Sequence, residues 1–247
     1  MLTKQILDEL ASKKNTQAAL FEHADPLQVA SVYKDEYVSL LCALFAYGNA
    51  KLIVKFLESL NFNLLDESEE SIKKELKNFK YRFQNQEDVR QIFISIRRLK
   101  QESSIEDILA KPYESGGIVL ALKALIDKIY SINSYESPGY SFFFSKSFKQ
   151  EPSSPMKRYN MYLRWMVRKD RLDLGLFKKI DKKDLLIPLD THTHKVALAF
   201  CLMQRKTYDF KAVLELTQKL KEFDNLDPIK YDFALYRLGQ SKEYKNF

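Results

Sequence analysis

The sequence predicts an all-α protein, and three observations carry the prediction. Six glycines and seven prolines in 247 residues are too few to turn the many short strands of a sandwich or barrel, or to supply the phosphate loops of dinucleotide folds. Apolar residues recur at three- and four-residue spacing along most of the chain, the period of a helix that buries one face. Hydrophobic residues make up 45% of the chain and aromatic residues 13%. That is ample for a core and far from the composition of a disordered chain.

Residues 2–13, 27–33, 35–47, 50–60 and 67–78 each carry this pattern. The third of them is apolar on most sides (Tyr37, Leu40, Leu41, Ala43, Leu44, Phe45), as a central helix should be, and Gly48 is placed to cap its end. Residues 88–100 and 103–110 continue the series, with Glu102-Ser103-Ser104 supplying a helix start. Gly116-Gly117 breaks the chain before another apolar helix over 118–132. From Ser137 a Ser-rich connection holding Phe142, Phe143 and Phe144 leads to helices over 156–169, 191–204, 208–222 and 227–240. No repeat, low-complexity tract or flexible linker marks a boundary, so residues 1–247 read as a single helical unit.

Two cysteines, Cys42 and Cys201, exclude a disulfide framework, a four-thiolate zinc site and a four-cysteine iron–sulfur cluster. Both lie in apolar segments and read as small core residues. The first residues, MLTKQILDELASKK, lack the apolar stretch of a signal peptide, and no apolar run approaches the roughly 18 residues of a membrane span. A soluble cytoplasmic protein that does not engage membranes is expected. The formal net charge is +7. Residues 157–183 hold ten basic side chains against Asp170, Asp173 and Asp181, so this one stretch carries the entire excess. A polyanion would dock there.

Within that stretch, Tyr159, Tyr162, Leu163, Met166 and Val167 share the inward face of a helix. Lys157, Arg164 and Arg168 fall on another face as a narrow cationic stripe. Neighbouring cations disfavour protonation of a lysine, and a neutral lysine is a nucleophile toward carbon. On this helix alone the stripe reads more readily as an exposed phosphate-contacting face without chemistry. Farther on, LLIPLDTHTHKVALAF places Asp190 as the cap of the next helix, after Pro188. Used functionally, Asp190 is a carboxylate fixed at a helix N-terminus. On a strand, Asp190, His192 and His194 would share one side, as in metal-dependent hydrolases. On a helix, residues two apart diverge by about 200° and cannot share one metal.

KRYNMYLRWMVRKD followed by IPLDTHTHKVALAF resembles the helix-hairpin-helix DNA glycosylases, in which a hairpin helix begins near a catalytic lysine and the next helix is capped by an aspartate. Lys157 and Asp190 fall where those residues are expected. More closely, SSPMKRYNMYLRWMVRKD, IPLDTHTHKVA and DPIKYDFALYRLG look like an uncharacterised bacterial family related to the archaeal-type 8-oxoguanine glycosylases. Gly48 in FAYGN and the segment FKYRF (Phe79–Phe83) look like its early motifs. The most specific resemblance covers residues 153–239. The chain departs from the pattern in having Glu-Pro-Ser-Ser-Pro where the hairpin is usually glycine-rich, and a long basic insertion between Lys157 and Asp190.

The resemblance implies two helical subdomains with the site between them, and a bifunctional glycosylase and AP lyase acting in base excision repair. Its substrate is an oxidised purine, 8-oxoguanine first, flipped out of double-stranded damaged DNA. No cofactor and no metal is implied, and the protein is expected to act as a monomer, associated with the nucleoid. Lys157 would attack C1′ and form a Schiff base, while Asp190 would stabilise the cationic sugar. Ser153, Ser154, Arg158, Arg164, Arg168 and His192 would contact DNA, with binding that falls steeply with salt. Phe144, Trp165 and Asp232 are candidates to line a base pocket, although Trp165 and most of the three consecutive phenylalanines read first as core. Two other readings stay open: a nucleic-acid binder of the same fold without turnover, and the metal-dependent hydrolase built on Asp190, His192 and His194.

Overall fold

A computed structural model describes residues 3–242 and 244. Among them every regular element is helical, with two isolated bridges, Tyr81 to Gln84 and Lys169 to Leu174. Among the described residues no helix is long and apolar enough to cross a membrane. The chain divides into two compact units, one continuous (Asp25–Gln150) and one discontinuous (Met1–Ala24 with Glu151–Phe247). Neither boundary carries a linker composition, which is why the sequence reads as undivided.

In the discontinuous unit, α1 (Lys4–Lys14) and α2 (Gln17–Phe21) begin at Thr3 and Thr16, whose hydroxyls accept from the backbone N–H of Ile6 and Ala19. Residue 2, where the periodicity starts, lies outside the described residues. The five-residue α2 is too short to announce itself by periodicity.

The continuous unit holds α3 (Pro26–Tyr33), α4 (Glu36–Leu44), α5 (Ala50–Glu58), α6 (Glu69–Glu75), α7 (Gln86–Glu102), α8 (Ile105–Ile132) and α9 (Pro138–Phe144). As predicted, α4 is central: Tyr37 through Leu44 are all buried. It ends at Phe45, however, and Gly48 lies beyond it at φ +107, where a Cβ would come 2.7 Å from the Arg82 guanidinium. The glycine therefore serves the turn into α5 rather than the cap of α4. Ser104 starts α8 as expected, accepting from Asp107 N–H, and Gly116 and Gly117 depart from helical geometry inside it. The Ser-rich connection contains a helix the periodicity did not show. Ser137 caps α9 through Tyr140 N–H with Pro138 at its first position, a start favoured because proline's missing N–H is not needed there.

The discontinuous unit resumes with α10 (Lys157–Val167), α11 (Thr191–Ala199), α12 (Phe210–Phe223) and α13 (Asp232–Ser241). Helix α11 stops at Phe200, so Cys201 is exposed, at φ +55, rather than a core residue; Cys42 is buried as expected. Asp8 of α1 takes the Lys230 ammonium and the Tyr231 hydroxyl, both at 2.9 Å. Arg237 of α13 donates to the Ala19 carbonyl at the end of α2. Helices α11 and α13 pack most closely at Gly239, where a Cβ would lie 2.7 Å from His192 Cβ and 2.9 Å from His192 backbone. Backbone cannot yield as a flexible side chain can. Gly239→Ala is expected to cost about 1–3 kcal/mol in urea unfolding; an unchanged midpoint would mean that the two helices do not meet as closely as described.

Candidate active site around Lys157 and Asp190

Helix α10 is buried on nearly every side. Tyr159 through Val167 are all inaccessible, including Asn160 and Arg164. The cationic stripe expected at its surface is therefore absent. Arg164 and Arg168, each 5% exposed, point into an internal ion network and not toward phosphates. Arg164 Nε donates to Asp173 Oδ1 at 3.1 Å, and its Nη1 to Asp232 Oδ2 at 2.5 Å. Arg168 donates to Asp173 and pairs with both Asp227 oxygens at 2.8 and 3.1 Å, with Asp170 at 3.0 Å on its outer side. A buried guanidinium without a carboxylate costs several kcal/mol, and here Asp170 and Asp173 of the loop, with Asp227 and Asp232, supply the carboxylates.

That loop folds back on α10. The N–H groups of Leu174 and Gly175 donate to Trp165 O, and Phe177 N–H donates to Met166 O, satisfying carbonyls at the end of the helix. Asp170 accepts from the N–H groups of Leu172 and Asp173 at 2.8 Å, turning the chain so that Asp173 enters the network. Leu172, Phe177, Ile180, Leu185, Ile187 and Leu189 anchor the rest, while Lys169, Arg171, Lys178, Lys179, Lys182 and Lys183 remain at the surface. The basic insertion is thus a packed loop with an exposed cationic rim.

The loop ends at Asp190, the predicted cap. Its Oδ1 accepts from Thr193 N–H at 2.7 Å, and Tyr208 donates to Leu189 O at 2.8 Å just before it. Lys157, half-buried, is the first residue of α10. The buried carboxyl of Asp232, the first residue of α13, links the two. Burial pushes its pKa up to about 6, Arg164 opposes the rise, the Asp190 charge adds to it and the Lys157 charge counters it. Burial raises Asp173 as well, against Arg164 and Arg168. Asp173 and Asp227 already balance the two arginines in formal charge, so Asp232 is a third buried or half-buried acid beside two cations.

The remaining sequence-derived residues divide. Ser153 and Ser154 are exposed and Arg158 is half-buried. His192 is exposed, with Nδ1 3.2 Å from Gly239 O. Trp165, 1% exposed, and Phe144, fully buried, are core residues. Phe144 packs edge-on against Tyr140 and Phe143. The metal-hydrolase arrangement does not assemble. On α11, His192 turns to Gly239 while His194 Nε2 lies 3.2 Å from Arg205 O, the divergence that helix geometry requires. Among the described residues no group of three His, Cys, Asp or Glu side chains is placed to hold a metal ion. Sequence reasoning missed Asp173 and Asp227 as partners of the arginines. The clue to Asp173 was its presence, with Asp170, inside an otherwise basic run.

Two outcomes follow from the network. Asp173→Asn removes the buried carboxylate that joins Arg164 and Arg168 and is expected to cost about 3–5 kcal/mol in chemical denaturation. Asp232 behaves oppositely. Its folded pKa, about 6, lies above the ordinary 3.8, so the folded chain binds the extra proton. Its contribution to stability therefore grows as pH falls through 6 and is complete below about 4. Asp232→Asn should stabilise the protein most at pH 7–8, with the advantage fading toward pH 4; an advantage that grows as pH falls would reverse this assignment.

No curated protein and no solved structure matches the chain. Residues 25–241, all of the continuous unit and 151–241 of the discontinuous one, match the family described as a protein of unknown function (DUF2400), and the chain belongs to that family.

Proposed function

We propose that this protein is a lysine-dependent DNA glycosylase with AP lyase activity, acting on an oxidised purine, 8-oxoguanine first. The observation that carries the reading is that α13 meets both segments: its Asp232 takes Arg164 of α10 at 2.5 Å and its Gly239 packs against His192 of α11, while the charges of Lys157 and Asp190 both act on the buried Asp232 carboxyl. Residues 33 positions apart in sequence thus share one neighbourhood, as a nucleophile and the carboxylate that assists it must. The resemblance of the two segments to helix-hairpin-helix glycosylases supplies the reaction.

In that reaction the Lys157 amine, as its neutral form, attacks C1′ of a flipped nucleotide, and the bond from C1′ to the base breaks. The base departs with the electron pair and takes a proton. Asp190 faces the positive charge that develops on the sugar and accepts the proton the lysine sheds. Opening of the sugar ring gives an iminium, from which loss of a C2′ proton expels the 3′ phosphate. With Arg164 and Arg168 internal, phosphate contacts fall to the exposed rim of Lys169, Arg171, Lys182 and Lys183 and to Ser153, Ser154 and Arg158. The buried ion pairs of Arg164 and Arg168 anchor α10, which carries Lys157 at its start, without consuming those contacts.

Borohydride trapping on an 8-oxoguanine duplex tests the proposal. Wild type should give a covalent adduct, Lys157→Ala none, and Asp190→Asn one that forms about a hundredfold more slowly. No adduct with wild type across a panel of lesion duplexes, or an adduct with Lys157→Ala, would sink the lysine assignment. Binding should weaken linearly on a logarithmic salt scale, and replacing Lys169 and Arg171 with alanine should reduce that slope by about 2. An unchanged slope would move the phosphate track elsewhere.

A further inference from the structure

The continuous unit carries an aromatic surface that the lysine site does not use. Phe83 is 61% exposed and Phe142 is 42% exposed, and with half-buried Tyr47 they form a cluster. The Tyr47 and Phe83 rings are parallel within 4°, 6.1 Å apart, and Phe142 stands nearly perpendicular to both at 4.9 and 5.0 Å. The Arg82 guanidinium lies 5.8 Å from the Tyr47 ring and 5.7 Å from the Phe83 ring.

These rings are held from behind. Arg82 and Phe83 form the tip of a tight turn closed by paired backbone hydrogen bonds between Tyr81 and Gln84, with Arg82 in the left-handed region at φ +50. Tyr81 donates its hydroxyl to Tyr47 O at 2.9 Å, Tyr47 donates to Gln84, and Gln84 Nε2 donates to Gly139 O at 2.8 Å. Gly139 sits against Asp88 so tightly that a Cβ would come 2.8 Å from Phe83 O. That contact fixes α9, and with it Phe142, against the turn. A strained turn held by three hydrogen bonds, one buried and two part-buried, and presenting two phenyl rings to water is pre-organised, so an incoming ring costs it little ordering.

We propose that this surface is a stacking platform for an unpaired base of single-stranded DNA. The exposed ring faces accept a planar aromatic of any base identity. The guanidinium already occupies the cation position beside two rings, which disfavours a cationic guest and favours one that brings a phosphate. The groove next to Phe142 adds Lys146 along with Ser137 and Ser141, and Glu136 as its one carboxylate. Lys80 is exposed next to the turn. The platform rests on residues of the continuous unit alone and is independent of Lys157 chemistry.

Anisotropy of a fluorescein-labelled oligothymidylate on the full chain tests it. Wild type should bind at low salt, and Phe83→Ala with Phe142→Ala should weaken binding at least tenfold, with the circular dichroism spectrum and melting temperature retained. Phe142→Trp should keep the affinity, and its fluorescence should be quenched by the oligonucleotide. Phe21→Ala, at an exposed phenylalanine of the other unit, should change nothing. No binding by wild type, equal binding by the double variant, or an unquenched Trp in Phe142→Trp would overturn the proposal. Failure of borohydride trapping with strand binding intact would remove the lysine reading and leave the platform standing.

Discussion

The bidentate hold of Asp173 on Arg164 and Arg168 is the interaction on which the discontinuous unit depends. Helix α10 presents aromatic and aliphatic side chains around most of its circumference and still has two guanidiniums to bury. Moving either into a low-dielectric interior without a partner costs more than the helix gains from any single packed side chain. Asp173 lies on the loop that leaves α10, and its burial fixes where that loop begins. The same loop ends at Ile187, whose N–H donates to Thr217 on α12 at 3.1 Å, and then at Asp190. The position of the Asp190 carboxylate is thus inherited, through a packed loop, from ion pairs near the far end of α10.

This arrangement changes the meaning of the chain's basic excess. Two of the ten cations between residues 157 and 183 are neutralised inside the protein by Asp173, Asp227 and Asp232, two of which lie outside that stretch. What remains at the surface is a rim of lysines and Arg171 on the loop, together with Arg158 and Lys157 at the start of α10. Formal charge along a sequence measures how much cation must be accommodated. Whether it faces solvent is decided by the packing of the helix that carries it.

Helix starts were legible because their chemistry is local. Ser104 and Asp190 reach backbone donors three residues ahead, so a reader of one sequence can find them. Helix α9 was hidden by the same rule applied too coarsely: Ser137 and Pro138 are a start signal, yet the serines and aromatics around them resembled a connection. Arg164 and Arg168 were misread for a different reason. Helical period shows which side chains share a face, but not what that face meets. Asp227, the partner that turns Arg168 inward, lies 59 residues away. Long-range pairing of this kind has no signature in local spacing.

The approach to α10 makes a positive-φ turn without a glycine. A turn into a helix that demands positive φ is usually given to glycine, which adopts it without steric cost. Here Met156 takes φ +51 with its side chain buried, at a cost of about 1–2 kcal/mol for a residue with a Cβ. The surroundings hold it there. Asn160, fully buried one turn into the helix, donates to Pro155 O at 3.1 Å, and Asn160 N–H donates to Met156 O at 3.0 Å. Pro152 and Pro155, both buried, narrow the conformations of the approach before folding begins. A search for glycines would pass over this turn, because proline stiffness, one strained methionine and one buried amide do the same work. Lys157 follows that methionine directly, so the constraint on Met156 is also a constraint on where the lysine starts.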